Sequence, residues 1–423
     1  LASLTEIQVA VASVALLVAP LAIAGLILIN TGLGRARNSA HAMLSALCAA
    51  SLAACVYFAV GRCGMGSAGE PAYLLTLGGR AWNWLGAARP FLMGLAPDGS
   101  PAFLAAWIGL IGASFAAVIP LGAGGERWRL GSICISTAVL AGFVYPLVAH
   151  STWGGGWLSQ LGLNFGLGTG LVDTGGIAPI HVTGGLTALA AAWLLGPRRG
   201  KYSYDGMPMA IPGHSVVFVL FGCMVAAAGW LALNTAGAII FAGVAPGRIA
   251  LIAVNTMLSA GSAGLLAALV TRLRFGRPDA SLSANGFVGG LVASSAGCAV
   301  MPPALAVLTG MIAGALVALS VEMLELRLEI DDPGGSISVH AVAGIWGLLA
   351  AGLHSGEFMA QLVGIATLIG FVLPLTWGLN AALNLVMPMR VSRDGERQGL
   401  DLHELGAGAY PDFVTHSEDH MER

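Results

Sequence analysis

The sequence predicts an all-α, polytopic membrane protein, on three observations. Hydrophobic residues make up 57% of the 423 residues and charged residues only 9%, with a mean hydropathy of +0.82; a soluble domain would carry about a quarter charged residues. Apolar runs on the order of 20 residues, long enough to cross a hydrocarbon core, recur along the whole chain. The basic residues gather on alternate loops, as they do where a chain threads a bilayer. A β-barrel would instead show short segments of alternating polarity.

The first span is expected near 9–30, followed by spans near 41–61, 101–120, 129–151 and 178–196. A second set falls near 212–234, 248–270, 284–301, 303–324 and 337–354, and a last span near 359–386 closes the series. That makes about eleven transmembrane helices. With the first span entering from outside, Arg62, Arg80, Arg89 and Arg248 lie on the outer side and the rest of the 19 Lys and Arg lie inside. This bias implies an N-out, C-in chain. The domain plan is a transmembrane unit over 1–386 and a cytoplasmic tail over 387–423. Within the unit, inverted repeats cover about 9–196 and 212–354, and 359–386 is the final span. The one long loop expected, near 62–99, is outer, polar and aromatic.

Two stretches repeat each other. Asp173-Thr-Gly-Gly-Ile-Ala-Pro-Ile-His181 and Asp332-Pro-Gly-Gly-Ser-Ile-Ser-Val-His340 each set a carboxylate ahead of a histidine, with Gly-Gly between, and run into an apolar helix. Ionisable groups at membrane depth are costly and mark substrate or proton paths. On the expected topology the two elements start from opposite sides, so His181 and His340 approach the midplane from opposite directions, as in transporters built from inverted repeats. The plainer reading, two histidines tying helices together, does not account for the paired spacing. Asp173 and Asp332 suit a structural role, accepting the first free N–H groups of their helices; Asp173 adds a long-range pull on cations. Asp331 has no such argument and is expected in solvent.

A run at Tyr145-Pro-Leu-Val-Ala-His150-Ser-Thr-Trp153-Gly-Gly-Gly156 resembles the outer-pore segment of the ammonium transporter (Amt) family. So do Phe115 ahead of Glu126-Arg127, and Gly229-Trp230 with Asn234. Asp331-Asp332-Pro333 leading to Val339-His340 is similar to the family's second histidine helix, and Gly399-Leu400-Asp401 with Ala409-Tyr410 to its tail motif. The resemblance runs in order through almost the whole chain. It implies an eleven-helix protomer with its own hydrophobic pore, a homotrimer in the cell (inner or plasma) membrane, and ammonium or ammonia as the substrate. Trp153 would recruit the cation through its ring face, worth roughly 0.5–2 kcal/mol, with Phe115 gating below and His181 and His340 as the twin histidines. Ammonium would lose its proton near the vestibule, and ammonia would cross while the proton passes through the imidazoles.

Elementary chemistry supports that scheme. Potassium and ammonium are alike in size and charge, but only ammonium can shed its charge by giving up a proton. An apolar pore rejects an unpaired ion, and imidazole both donates and accepts protons near neutrality. Taken singly, Trp153 also suits an interfacial anchor, Phe115 and Trp230 suit packing, and His150 suits a structural bond.

The departures bear on mechanism. Where the family has a second stacked Phe, this chain has Leu233, and Gly237 replaces a Ser that bonds the recruited cation. The loop from Trp153 to Asp173 is long and suits a lid over the vestibule or packing on a neighbouring protomer. In the tail, Leu405-Gly406-Ala407 replaces a polar run, which weakens the expected engagement of a trimeric PII-type regulator. His416 and His420 with nearby acids suit a disordered acidic tail better than a metal site.

The six cysteines are scattered without metal or disulfide spacing. No nucleotide-binding loop, nucleophile elbow or metalloprotease helix is present, so neither enzyme, cofactor nor nucleic-acid partner is expected. The chain begins with Leu1 rather than Met, which points to a missing leading segment. Two functions stand: a channel-like ammonium transporter, and an ammonium receptor coupled to an output domain, with no such domain between the last span and Arg423. A neutral-gas pore of the Rhesus type is disfavoured by Trp153 and its Gly run.

Overall fold

The computed structural model describes residues 3–410. Ten helices are long and apolar enough to cross a membrane among the described residues. Five precede the midpoint: α1 (Glu6–Leu33), α2 (Ala36–Met65), α3 (Pro101–Gly124), α4 (Leu130–Thr152) and α5 (Ile177–Leu195). α6 (Val216–Ala242) and α7 (Pro246–Phe275) follow, then a shorter helix α8 (Ala280–Ser294). α9 (Pro303–Leu328), α10 (Ile337–Ser355) and α11 (Phe358–Val386) complete the bundle. Two tail helices, α12 (Arg393–Gln398) and α13 (Leu400–Leu405), fold back onto it.

Every expected span has a helical counterpart, but in place of the stretch expected at 284–301 stands a helix of only 15 residues, Ala280–Ser294. It stops where the hydroxyls of Ser294 and Ser295 turn back onto the Leu291 carbonyl, at 2.8 and 3.1 Å. Such side-chain bonds compete with the backbone ladder, and Pro302-Pro303 then starts the next helix.

Helix starts follow local chemistry. Thr5 and Gln8 form a reciprocal capping box on α1, and Ser100 caps α3 by accepting from the Phe103 N–H, with Pro101 in the first turn. Lipid supplies no apolar driving force between helices, so close approach of small residues carries the packing. A Cβ added to Gly229 of α6 would collide with the backbone of Ala22 on α1, and one at Gly25 with Ala226.

Five helices contain wide π-turns: Tyr57–Gly61, Leu140–Val144, Ile177–Val182, Ile337–Val342 and Leu368–Val372. Pro146, Pro179 and Pro374 lie in or just after three of them. Proline removes an N–H donor from the ladder, which favours local widening.

The loop at 62–99 adds an element to the helical fold: strands β1 (Ala72–Leu77) and β2 (Arg80–Gly86) pair antiparallel. Gly78 and Gly79 join them, both with positive φ (58° and 75°), as a two-residue hairpin turn requires. The segment after Trp153 packs on this hairpin instead of hanging free. Asn83 N–H donates to Gln160 at 2.7 Å, Asn83 Nδ2 to the Gly155 carbonyl at 3.0 Å, and the Trp82 and Phe165 rings meet at 5.2 Å.

Candidate histidine-pair site and its two braces

α5 and α10 start alike. A glycine in the left-handed region, Gly176 (φ 86°) or Gly335 (φ 67°), precedes each π-turn, a conformation that costs glycine little. Asp173 accepts from the N–H groups of Gly176, Ile177 and Ala178 at 2.9, 2.8 and 2.7 Å. Asp332 accepts from those of Ser336 and Ile337 at 3.0 and 2.7 Å. Burial pushes both carboxyls up to about 6, while these N–H donors pull the other way.

The π-turns bring His181 and His340 together. Both are fully buried, their Nδ1 atoms lie 3.3 Å apart, and their ring centroids are 5.3 Å apart at 21°. Both Nε2 atoms lack a hydrogen-bond partner among the described residues. In a neutral pair sharing one Nδ1–H, one ring must therefore show a bare Nε2 lone pair and the other an Nε2–H. The pair is a donor and an acceptor at once.

An aromatic cluster closes over one side of the pair. The Phe115 ring meets His181 edge-on at 5.2 Å and Trp230 at 5.0 Å. Trp230 stacks on His181 at 4.8 Å and 12°, and its Nε1–H donates to Ser295 Oγ at 3.1 Å. Leu233, one turn further along α6, is fully buried in the same apolar cluster.

Trp153 has contacts of its own: its Nε1–H donates to the Asp173 carbonyl at 2.7 Å, and its ring stacks on Phe241 at 4.3 Å and 10°. One face that was expected to meet a cation is thus covered. At Gly237 the Thr174 carbonyl packs so closely that any side chain would collide with it, which explains the glycine in place of a Ser. His150 bonds the Met65 carbonyl through Nδ1 at 2.7 Å.

Phe241, Ser295 and Thr174 were not singled out in the sequence. Only an aromatic one turn past Gly237 hinted at Phe241, and nothing marked the other two.

Asp331, expected in solvent, is buried. The chain folds two distant arginines onto it. Arg198 donates from N, Nε and Nη2 at 2.8, 2.9 and 2.9 Å, and Arg127 Nη1 lies 3.9 Å away. Burial alone would raise this carboxyl, but the Arg198 bonds and the Arg127 and Arg198 charges hold it down to about 2. Glu126, with φ of 70°, accepts from Arg35 N–H at 2.7 Å, pairs with its guanidinium, and lies 3.4 Å from Arg198 Nη1.

No group of three His, Cys, Asp or Glu that would hold a metal is present among the described residues; His416 and His420 lie outside them.

A bundle of apolar, glycine-packed helices around a buried histidine pair defines a multi-pass membrane protein with a buried polar centre. Sequence comparison gives the family. The profile of the Ammonium Transporter Family matches residues 9–410, and the chain belongs to that family. It is 35% identical over 415 residues to "Ammonium transporter Amt2" of Archaeoglobus fulgidus, covering 92% of this chain and 85% of that one. It is 33% identical over 422 residues to "Ammonium transporter Amt2" of Haloferax mediterranei, covering 94% and 88%. Among solved structures, "Sensor Amt Protein" superposes with a TM-score of 0.86 at 27% identity, covering 94% of this chain and 98% of that one. Candida albicans Mep2 shares the fold, with a TM-score of 0.79 at 23% identity over 97% and 91%.

Proposed function

We propose that this chain carries ammonium across the membrane by separating it near the vestibule into ammonia, which crosses the pore, and a proton, which passes through the His181–His340 pair. The observation that carries the reading is the pair itself: two buried imidazoles joined at Nδ1, each with an unpartnered Nε2, under Phe115 and Trp230. A bare Nε2 accepts a proton, the shared Nδ1–H shifts, and the second ring releases a proton from its own Nε2. This route is open to ammonium and closed to potassium, which has no proton to give.

In this reading Phe115 is the gate and must swing from His181 for ammonia to pass. Trp153 recruits the cation on the face turned from Phe241, and Leu233 leaves the gate with a single phenyl ring. Gly237 adds no polar contact. Asp173 and Asp332 cap the histidine helices and hold their registers. The orientation is N-out and C-in, with inverted repeats meeting at the histidines, in a homotrimer of the cell membrane.

The test is transient current from proteoliposomes on a solid-supported membrane, pulsed with ammonium and then with potassium. The expected result is a saturable current for ammonium alone, which falls about ten-fold or loses its selectivity in His181→Ala and in His340→Ala, as for residues on the conducted path. Ammonium binding without current would overturn transport and make the chain a receptor.

A further inference from the structure

We infer that the tail-bearing end carries a binding site for a phosphoryl anion of two or more phosphates, formed by Arg37, Arg199 and Arg397. An open cavity of about 350 Å³ is lined by Arg35, Arg37, Arg199, Gly200, Glu396 and Arg397. The residues come from three separate parts of the chain: the turn between α1 and α2, the loop after α5, and tail helix α12.

The cations of this end divide into two sets. The carboxylates nearby pair with other cations, although Glu396 and Arg35 themselves line the cavity. Glu126 takes Arg35 and Arg198, Asp331 takes Arg198 and Arg127, Glu325 takes Lys201, and Glu396 takes Arg390. Arg199 and Arg397 have no side-chain partner among the described residues, and Arg37 reaches only the Glu396 carbonyl, at 3.4 Å. A general basic rim is expected wherever helices leave a membrane. Here three guanidinium groups with no carboxylate in contact among the described residues instead line one hollow, where Arg35 repels Arg37 against the pull of Glu126 and Glu396 and a polyanion relieves the repulsion.

The backbone beneath them is fixed. Glu396 is buried and accepts the Arg199 N–H at 2.7 Å and Arg390 Nη2 at 2.8 Å. Leu400 N–H donates to Asn38 Oδ1 at 2.8 Å. Gly399, in a positive-φ conformation of 100°, packs against Arg37. The backbone under the three arginines is therefore already ordered, and a ligand has only their side chains left to order. Guanidinium forks match phosphate oxygens two at a time, and adjoining phosphates would let one ligand engage all three. Such a ligand would bridge the tail to the body, on the cytoplasmic side in the orientation proposed above.

The test measures binding to the purified full-length chain by calorimetry and by melting temperature. Sodium pyrophosphate and ATP are the soluble probes. Phosphatidylcholine nanodiscs containing phosphatidylinositol 4-phosphate carry the lipid source, and sulfate at matched ionic strength is the control. We expect saturable binding of one or more phosphoryl probes, weakened about ten-fold or more in Arg199→Ala/Arg397→Ala through loss of bidentate contacts, and unchanged in Arg393→Ala on the same tail helix. Both altered side chains are exposed, so melting without probe should hold. Binding of pyrophosphate or ATP assigns the site to a soluble ligand, and binding only in the phosphoinositide nanodiscs assigns it to a headgroup. Equal stabilisation by sulfate, an equal loss in Arg393→Ala, or no binding by any phosphoryl probe would overturn the proposal.

Discussion

The Asp173–His181 and Asp332–His340 elements present the same cap, the same left-handed glycine and the same wide turn to different surroundings. Around the first, support is aromatic: Trp153 donates to the Asp173 carbonyl and stacks on Phe241. Around the second, support is ionic, because neighbouring Asp331 draws in Arg198 and Arg127. One local design therefore positions both imidazoles, while each end of the bundle braces it with different chemistry. In the proposed reading the aromatic brace sits where a cation arrives, whereas the ionic brace ties α5 and α10 together at the tail-bearing end.

The ionic brace gives the largest expected effect. Asp331→Asn leaves two buried guanidinium groups without their carboxylate and should cost about 3–5 kcal/mol, read as a loss of unfolding free energy in detergent. A loss no greater than that of an exposed control would erase the contrast between the two ends.

Acid should sharpen it. Asp331 titrates near 2 when folded, against an ordinary value of 3.8. Its contribution is complete above the ordinary value and is lost as pH falls toward the folded one. That lowering is worth about 2 kcal/mol. The difference in unfolding free energy between the unaltered protein and Asp331→Asn should shrink by that amount between pH 5 and pH 2, and a flat difference would contradict the assignment.

The caps come next. Asp173→Ala removes the acceptor of three N–H groups and Asp332→Ala that of two, so losses of about 2 and about 1 kcal/mol are expected from the range for such caps. The reverse order would show that the adjacent ion cluster, not the number of donors, sets the strength of a cap. The smallest effect belongs to Trp153→Phe, which keeps an aromatic face but loses the bond to the Asp173 carbonyl, about 1 kcal/mol. Melting curves should record it as a minor shift.

Much of the histidine site was legible in the sequence, because its parts are local. The distance from Asp to His, the Gly-Gly pair and the apolar run that follows lie within one stretch, so both helices could be read from spacing, while the pairing of their rings was what the family resemblance implied. What was missed is long-range. Asp331 looked solvated because Arg127 and Arg198 are remote in sequence and only the fold brings them to it. The Phe241 stack on Trp153 depends on how α6 ends beside the loop after α4. The hairpin did have a local sign, since Leu77-Gly78-Gly79-Arg80 is a two-residue turn between alternating apolar residues, but the membrane-wide hydrophobic pattern masked it. The length of α8 was overread because the apolar character of 295–301 continues after the backbone has turned.

Helix α8 bears on how the protein meets bilayers of different thickness. At 1.5 Å per residue its 15 residues extend about 22 Å, against a hydrocarbon core of about 30 Å. Lipid need match little of that length, because residues 284–286 and 288–294 of the helix are buried, behind α7 and α9. Those two neighbours have 30 and 26 residues and exceed the core, a mismatch that tilting, kinking or local thickening of the bilayer would take up. A change in membrane thickness would then be taken up at the outer helices. α8 and the histidine helix α10 packed on it would keep their height, insulating the centre of the protein from the mechanics of the lipid around it.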